Sequence, residues 1–477
     1  MAENVITTVD PRTGEVLAVY PAFDDQQVET AIANAYTAAA SWAATPLAKR
    51  LERLRALAET LRAGRDEYAA LITAEMGKPI TEAAGEVEKS AVTADYYLAH
   101  AAAILADEHV SIDGVKAWVG YEPLGVIYAV MPWNFPFWQV MRAAIPTLAA
   151  GNAILLKHSP NVTGSALAIQ QLVERAGFPP GLLTTLVVAE PDVPRVSEQI
   201  IADDRVAAVT LTGSNRAGAA VGAAAGRAVK KAVLELGGSD PFIVLDDADL
   251  HAAATAAVRA RFHNTGQSCV CAKRFLIADP VADEFTRLFV EKTRALVVGD
   301  PTDPATQVGP MARPDLRDQL HTQVQRSIAQ GATLLTGGHP VDGSGTYYQP
   351  TVLANTGPGI AAFDEETFGP VAALATASSD AELAALANAS EYGLGLSIWT
   401  ADTDRAVRLA RSITSGAVFV NAVVASDPRL PFGGTKRSGH GRELAAAGIR
   451  EFTTIRTYWI TTPDIDRAGA LEPARQD

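Results

Sequence analysis

Two cysteines stand in 477 residues, Cys269 and Cys271, and both fall in the stretch Phe262-His263-Asn264-Thr265-Gly266-Gln267-Ser268-Cys269-Val270-Cys271. No other residue offers a thiol nucleophile. Two apart in an extended segment, just after Gly266 bends the chain, the sulfurs share one side, which reads either as a presented thiol or as a pair of small buried hydrophobes. Glu235 ends an apolar strand in Val233-Leu234-Glu235-Leu236-Gly237-Gly238. A desolvated carboxylate there would rise in pKa and suit a general base, whereas one paired with a cation would be structural. Asn134, in the turn Pro132-Trp133-Asn134-Phe135-Pro136, offers its amide N–H groups to a developing oxyanion or satisfies the turn's own backbone. The turn Thr210-Leu211-Thr212-Gly213-Ser214-Asn215-Arg216-Ala217-Gly218 opens an Ala-rich helix whose free N–H groups could cradle a phosphate. It has neither GxGxxG nor Walker spacing, and an ordinary strand-to-helix turn is the competing reading.

Positioning these residues requires a scaffold, and the periodicity supplies one. From Asp24 to about Leu105, Ala and Leu recur at three- and four-residue steps, predicting helix. Buried strands are predicted at Gly125–Val130, Ala153–Lys157, Leu183–Val188 and Ala207–Leu211, with helices at Gly164–Ala176 and Val193–Ile201 between them. That alternation is the signature of a parallel sheet with crossovers, which carries ligands at the carboxyl ends of its strands. A second series follows Gly237-Gly238: strand Phe242–Leu245, helix Leu250–His263, strand Arg274–Ile277, helix Val281–Leu296 and strand Gly416–Asn421. The segment Ile449–Thr461 alternates bulky and polar residues, predicting a late strand whose free edge could pair with another subunit.

Composition narrows the class. With 48% hydrophobic and 20% charged residues the chain suits compact α/β lobes, and a formal charge of -14 opposes nucleic acid and anionic membrane surfaces. Two cysteines cannot build a disulfide framework, and the 8 histidines show no HxxxH spacing, so no metal site is expected. The first residues lack a basic start and an apolar core, and the apolar window Val126–Met141 is interrupted by Pro132, Asn134, Pro136 and Gln139. A cytoplasmic protein with no membrane or nucleic-acid partner is the expectation.

Taken in order, Pro132-Trp133-Asn134-Phe135-Pro136, Gly151-Asn152 to Lys157, Thr212-Gly213-Ser214, Glu235-Leu236-Gly237-Gly238, Asn264 to Cys269, Glu365-Glu366-Thr367-Phe368-Gly369-Pro370 and Pro431-Phe432-Gly433-Gly434 resemble the aldehyde dehydrogenase superfamily, from about Val9 to about Trp459. The resemblance implies Cys269 as nucleophile, Asn134 with the Cys269 N–H as oxyanion donors, and Glu235 as the base that activates hydrolytic water. It implies an NAD(P) cofactor contacted by Trp133, Lys157, Ser159, Gly213, Ser214, Glu366 and Phe368. Many NAD-selective relatives have Glu three residues after the lysine; here Pro160 stands there, so a 2'-phosphate should be tolerated, with Lys157 or His158 available to attract it.

Within the superfamily, Gly120 to Gly125, Phe137 to Arg142, Lys157-His158 and Gly237 to Phe242 look like bacterial succinate semialdehyde dehydrogenases. The implied substrate is a small aldehyde with a distal carboxylate. Arg142, on a helix after Asn134, either clamps that carboxylate or pairs with a structural one. Where many relatives with this substrate carry a second arginine, His263 stands; Arg261 is the expected substitute, and Ser426 resembles the family's carboxylate hydrogen-bond donor. Cys271 is expected to form a reducible disulfide with Cys269 under oxidation. The alternatives are an enzyme for another short aldehyde such as glutarate semialdehyde, or a non-catalytic binding protein that retains the fold. The implied architecture is α/β: a Rossmann-type NAD(P)-binding domain at 1–110 and 130–236, a catalytic domain at 237–440, and a small β oligomerisation arm at 111–129 and 441–462. A loose tail at 463–477 follows, and the assembly expected is a homodimer or homotetramer.

Overall fold

The computed structural model describes residues 5–461, so the expected tail at 463–477 lies outside the described residues. Helices Asp25–Ala43, Leu47–Ala63, Arg65–Met76 and Ile80–Ile104 take up the periodic N-terminal segment. The first begins with a reciprocal cap, in which Asp24 Oδ1 accepts from Gln27 N at 2.7 Å and Gln27 Oε1 accepts from Asp24 N at 2.9 Å. These bonds satisfy N–H groups that have no intrahelical acceptor.

A six-stranded sheet runs in the spatial order Gly439–His440, Lys231–Glu235, Val206–Thr212, Val126–Met131, Ala153–His158, Leu183–Thr185. All pairs are parallel except the first. Its register aligns Met131 with His158 and Thr212 with Glu235, so the segments that leave these strands start from one edge. The chain steps outward from Val126–Met131 on one side and returns on the other as Val206–Thr212, and a crevice forms outside the carboxyl ends where the order reverses. The strand Ala153–His158 is buried throughout, as parallel strands covered on both faces must be.

A seven-stranded sheet follows in the order Thr333–Thr336, Thr351–Ala354, Val371–Ala377, Ala272–Ala278, Asp240–Val244, Ser397–Trp399, Phe419–Val420. It is parallel apart from its first pair. Glu235 closes a strand of the first sheet and Asp240 opens a strand of the second, so Leu236–Ser239 is the join between them. A third, antiparallel sheet pairs Thr453–Thr461 with Val115–Pro123 and the latter with Glu108–Ile112. Ile455 and Trp459 stand exposed on it at 68% and 58%.

Several boundaries differ from the sequence reading. Val126–Met131 is a central strand of the six-stranded sheet, so positions 126–129 do not belong with the arm. Ile449 lies in the helix Ala445–Glu451 and is wholly buried in the core shared with the N-terminal helices; the exposed alternation begins only at Thr453. The strand predicted at Gly416–Asn421 shrinks to Phe419–Val420, and the one at Leu183–Val188 ends at Thr185. Among the described residues no helix is long and apolar enough to cross a membrane.

Candidate active site

The helix Leu250–Phe262 is capped by Asp249, whose side chain accepts from Ala252 N at 3.0 Å, and it delivers the chain to the cysteine loop. Asn264, Thr265 and Gly266 then adopt φ of 54°, 55° and 70° in succession. Glycine tolerates this region, but β-branched Thr265 does so at a cost of about 1–3 kcal/mol, which the surroundings must offset. Thr265 Oγ1 accepts from Gly309 N at 3.1 Å, Asn264 N donates to Glu82 at 2.7 Å, and Gln267 Oε1 accepts from Ala312 N at 2.9 Å. Lys273 Nζ donates to the carbonyls of Ser268 and Cys269, both at 3.0 Å.

Arg261 is fully buried and donates to the carbonyls of Ala272 at 3.0 Å, Gly266 at 2.9 Å and Gly369. It does not line the cavity beside Cys269. The expected substrate contact is therefore corrected: a fully buried guanidinium turned to loop carbonyls braces the loop and stands outside the cavity.

Cys269 is half-buried and opens on a cavity of about 1100 Å³ whose wall also carries Lys89, Trp138, Arg142, Ser426 and Phe432. Burial pushes its thiol up to about 12, against the pull of Arg142 and Lys273. Cys271 is buried, with Sγ 3.7 Å from the His263 carbonyl oxygen, and burial raises its thiol too. It also lines the cavity.

Asn134 approaches from the other sheet. Its Nδ2 donates to the Gln267 carbonyl at 3.0 Å, while Asn264 Nδ2 donates back to the Asn134 carbonyl at 2.8 Å. An amide carries two N–H donors, so one remains for an oxyanion. Two unforeseen groups hold this turn: Glu86 Oε1 accepts from Phe137 N at 2.7 Å and Trp138 N at 2.9 Å, and buried Lys78 pairs with Glu86 and lies 3.7 Å over the Phe135 ring. His158 is the third support. Its Nδ1 lies 2.9 Å from Ser159 N and 3.2 Å from the Met131 carbonyl oxygen, and its Nε2 lies 2.9 Å from the Pro136 carbonyl oxygen, so the ring bridges the strand end and the turn.

Glu235 is buried, and neither carboxyl oxygen has a hydrogen-bond partner in the protein. Burial pushes it well above the usual carboxylate range, the charge of Glu443 adds to the rise, and Arg142 and Arg442 pull the other way. Gly238 shows why glycine follows it: a Cβ there would stand 2.6 Å from the Cys269 carbonyl oxygen, so a side chain would drive the cysteine loop away. Arg142 forms a buried ion pair with Glu443, donates to Thr212 Oγ1 at 3.2 Å and stacks 4.8 Å from the Phe432 ring centre. Of the two roles open to Arg142 from the sequence, pairing with a carboxylate of the protein is the one observed.

The carboxyl edge of the six-stranded sheet gathers the expected cofactor contacts. Lys157 is buried and lowered to about 8 by that burial; Ser159 Oγ donates to Asn161 at 2.7 Å; Ser214 caps the helix Asn215–Arg227 by accepting from Ala217 N at 3.3 Å. Gly213 immediately precedes that cap, and no atom nearer than 3.7 Å would meet a Cβ there, which leaves the helix N-terminus open to an anion. Glu366 Oε1 accepts from Gly238 N at 3.0 Å and lies 3.5 Å from Lys273 Nζ, and Phe368 meets Trp133 edge to face at 5.6 Å. A dinucleotide fits this edge: a cation and hydroxyl at one end, an open helix start in the middle, and a carboxylate with an aromatic wall at the other. His158 does not extend it. Burial lowers its imidazole to about 4, so it is neutral and cannot attract a 2'-phosphate, contrary to one sequence expectation.

The sequence reading passed over Lys89, Glu86, Lys78, Lys273 and Glu443. Glu82, Glu86 and Lys89 all line the cavity, and their three- and four-residue spacing places them on one face of Ile80–Ile104. Charges recurring at that period among alanines were the available signal. Among the described residues no three His, Cys, Asp or Glu side chains group to hold a metal ion.

Residues 1–458 match the Aldehyde dehydrogenase family. The chain is 51% identical over 453 residues to the succinate semialdehyde dehydrogenase (NAD(P)+) of Escherichia coli strain K12, covering 95% of this chain and 97% of that one. It is 47% identical to a probable succinate-semialdehyde dehydrogenase (NADP(+)) of Synechocystis, covering 95% and 99%. The crystal structure of succinic semialdehyde dehydrogenase from Streptococcus pyogenes in complex with NADP+ has TM-score 0.93 and 37% identity, over 96% of this chain and 100% of that one. A thiol loop set where two parallel sheets join thus comes with likeness along nearly the whole length, and the chain belongs to the aldehyde dehydrogenase family.

Proposed function

We propose that this protein oxidises succinate semialdehyde to succinate with reduction of NAD(P). The observation that carries the reading is Cys269 opening on a cavity whose wall holds Ser426 beside basic side chains, a setting for a short aldehyde with a charged far end. Cys269 is protonated at neutral pH, so its proton must leave as sulfur attacks the carbonyl carbon, and desolvated Glu235 is basic enough to accept it. The carbon–sulfur bond forms as the carbonyl electron pair moves onto oxygen, where the second Asn134 N–H and the Cys269 N–H hold it. A nicotinamide dinucleotide held by Lys157, Ser159, Ser214 and Glu366 would supply the acceptor for the hydride that leaves the thiohemiacetal carbon, and a thioester on Cys269 remains. Glu235, having released the first proton to solvent, then takes one from water as its oxygen attacks the thioester carbon. The carbon–sulfur bond breaks, succinate leaves and Cys269 regains a proton.

In this reading the six-stranded sheet with its N-terminal helices binds the cofactor, the seven-stranded sheet carries the nucleophile, and the boundary falls at Gly237. The edge strand Thr453–Thr461, with Ile455 and Trp459 exposed, serves a homodimer or homotetramer, and the enzyme works in the cytoplasm. Initial rates of NAD(P)H formation with succinate semialdehyde, glutarate semialdehyde and butanal, each with NAD and NADP, test the substrate. The highest kcat/KM belongs to succinate semialdehyde; equal or better turnover of butanal would overturn the reading, and a glutarate semialdehyde optimum would reassign it.

A further inference from the structure

The cavity beside Cys269 is lined by four cationic or potentially cationic side chains, and they are not equivalent. Arg142 is bound by Glu443, His263 is exposed and lies 3.0 Å from Glu82, and Arg259 is exposed. Lys89 differs from all three. It is half-buried, has no carboxylate within 4.0 Å among the described residues, and donates from Nζ to Ser426 Oγ at 2.7 Å. The same ammonium lies 4.3 Å from the Trp138 ring centre. A lysine has three N–H donors. One goes to Ser426 and another faces the indole, which leaves a third beside the cavity, with the Ser426 hydroxyl proton next to it.

We propose that Lys89, together with Ser426, holds the distal carboxylate of the substrate and sets the preference of this enzyme for carboxylated aldehydes. The proposal rests on the function given above and names the group that recognises that substrate. A protein with a formal charge of -14 repels an anionic aldehyde at long range, so recognition has to be local. The position is suitable, because Lys89 and Cys269 line the same cavity. Arg142, already neutralised by Glu443, shapes the wall without offering net positive charge. Lys89 thus provides a cation that neither Arg261, turned to loop carbonyls, nor His263, facing Glu82, supplies.

Lys89→Met and Lys89→Gln, assayed with succinate semialdehyde and with butanal of the same carbon number, read the proposal as a ratio of kcat/KM values. Losing one charge-assisted contact lowers the succinate semialdehyde to butanal ratio by about 30-fold, mainly through KM. A ratio unchanged from wild type would overturn the proposal while leaving the function intact; a wild type with no preference would overturn the function itself. Should both variants lose butanal turnover too, the wild type decides. Burial lowers Lys89 to about 8, with Arg142 acting the same way and Glu86, Asp427 and Cys269 opposing. The ratio therefore falls about tenfold between about pH 7 and about pH 9, because both substrates share every other titrating group. A flat ratio would remove Lys89 from recognition.

Discussion

The side-chain amide of Asn134 donates to the Gln267 carbonyl across 3.0 Å, tying the turn after the strand Val126–Met131 to the loop two residues before Cys269. In the proposed mechanism one sheet thus delivers the oxyanion donor and the other the nucleophile. Asn134→Ala removes a donor and the tie together. Its kcat falls by about 10²- to 10³-fold, the range for one oxyanion donor, in steady-state assays with saturating substrate and cofactor. A loss below about fivefold would show that Asn134 only supports the turn.

Glu235 and Glu443 face the same arginine from different segments, and Glu443 helps keep Glu235 well above the usual carboxylate range. A carboxyl must be ionised to take a proton from water, so hydrolysis of the acyl enzyme rises with pH through the Glu235 ionisation. Glu235→Gln abolishes that rise and leaves Cys269 acylated, which intact-protein mass spectrometry detects. Glu443→Gln removes the repelling charge and shifts the rise to lower pH. It also leaves Arg142 buried and unpaired, which costs about 3 kcal/mol and lowers the melting temperature. A pH profile unmoved by Glu443→Gln would disconnect the two carboxyls.

Cys271 shares the loop of Cys269, and both residues line the cavity. Peroxide oxidises Cys269 to the sulfenic acid; Cys271 then attacks that sulfur, water leaves and a disulfide remains. Wild-type activity lost to peroxide returns with dithiothreitol, whereas Cys271→Ser, lacking the resolving thiol, proceeds to irreversible loss. Identical, irreversible inactivation of both proteins would reduce Cys271 to packing.

Glu75 ends one helix and caps another: it accepts from Gly164 N at 2.7 Å, Ser165 N at 2.9 Å and Ser165 Oγ at 2.7 Å. Burial nevertheless pushes its carboxyl from 4.5 up to about 7, against those hydrogen bonds. The folded protein then holds the proton to higher pH than the unfolded chain does. Its contribution to stability is full below about pH 4.5 and is lost as pH rises through about 7, a change of about 3 kcal/mol. Between pH 5 and pH 8 the wild type therefore loses more melting temperature than Glu75→Gln, measured by thermal denaturation. Parallel pH dependences in the two proteins would refute the assignment.

Motifs that act through the backbone were legible in the sequence because local chemistry specifies them. Gly266 marks a bend that two non-glycine residues before it share, Gly237-Gly238 marks a close approach of two loops, and Ser214 marks a helix start. Buried parallel strands likewise announce themselves as continuous apolar runs. Ile449 was misread because a buried residue at the end of a short helix and one at the start of a strand have the same hydrophobicity.

What the sequence by itself determined was the alternation of strands and helices between about 125 and 296, the identity of the only thiols, and the residue types at the turns that carry the motifs, since these depend on neighbours along the chain. The partner of each charge was decided only by the tertiary structure. Arg142 meets Glu443 from 301 positions away, Arg261 turns to loop carbonyls, and Lys89 meets Ser426 across 337 positions. Electrostatic interaction depends on distance in space and on the loss of water around each group, and neither is written in the spacing of residues along the chain.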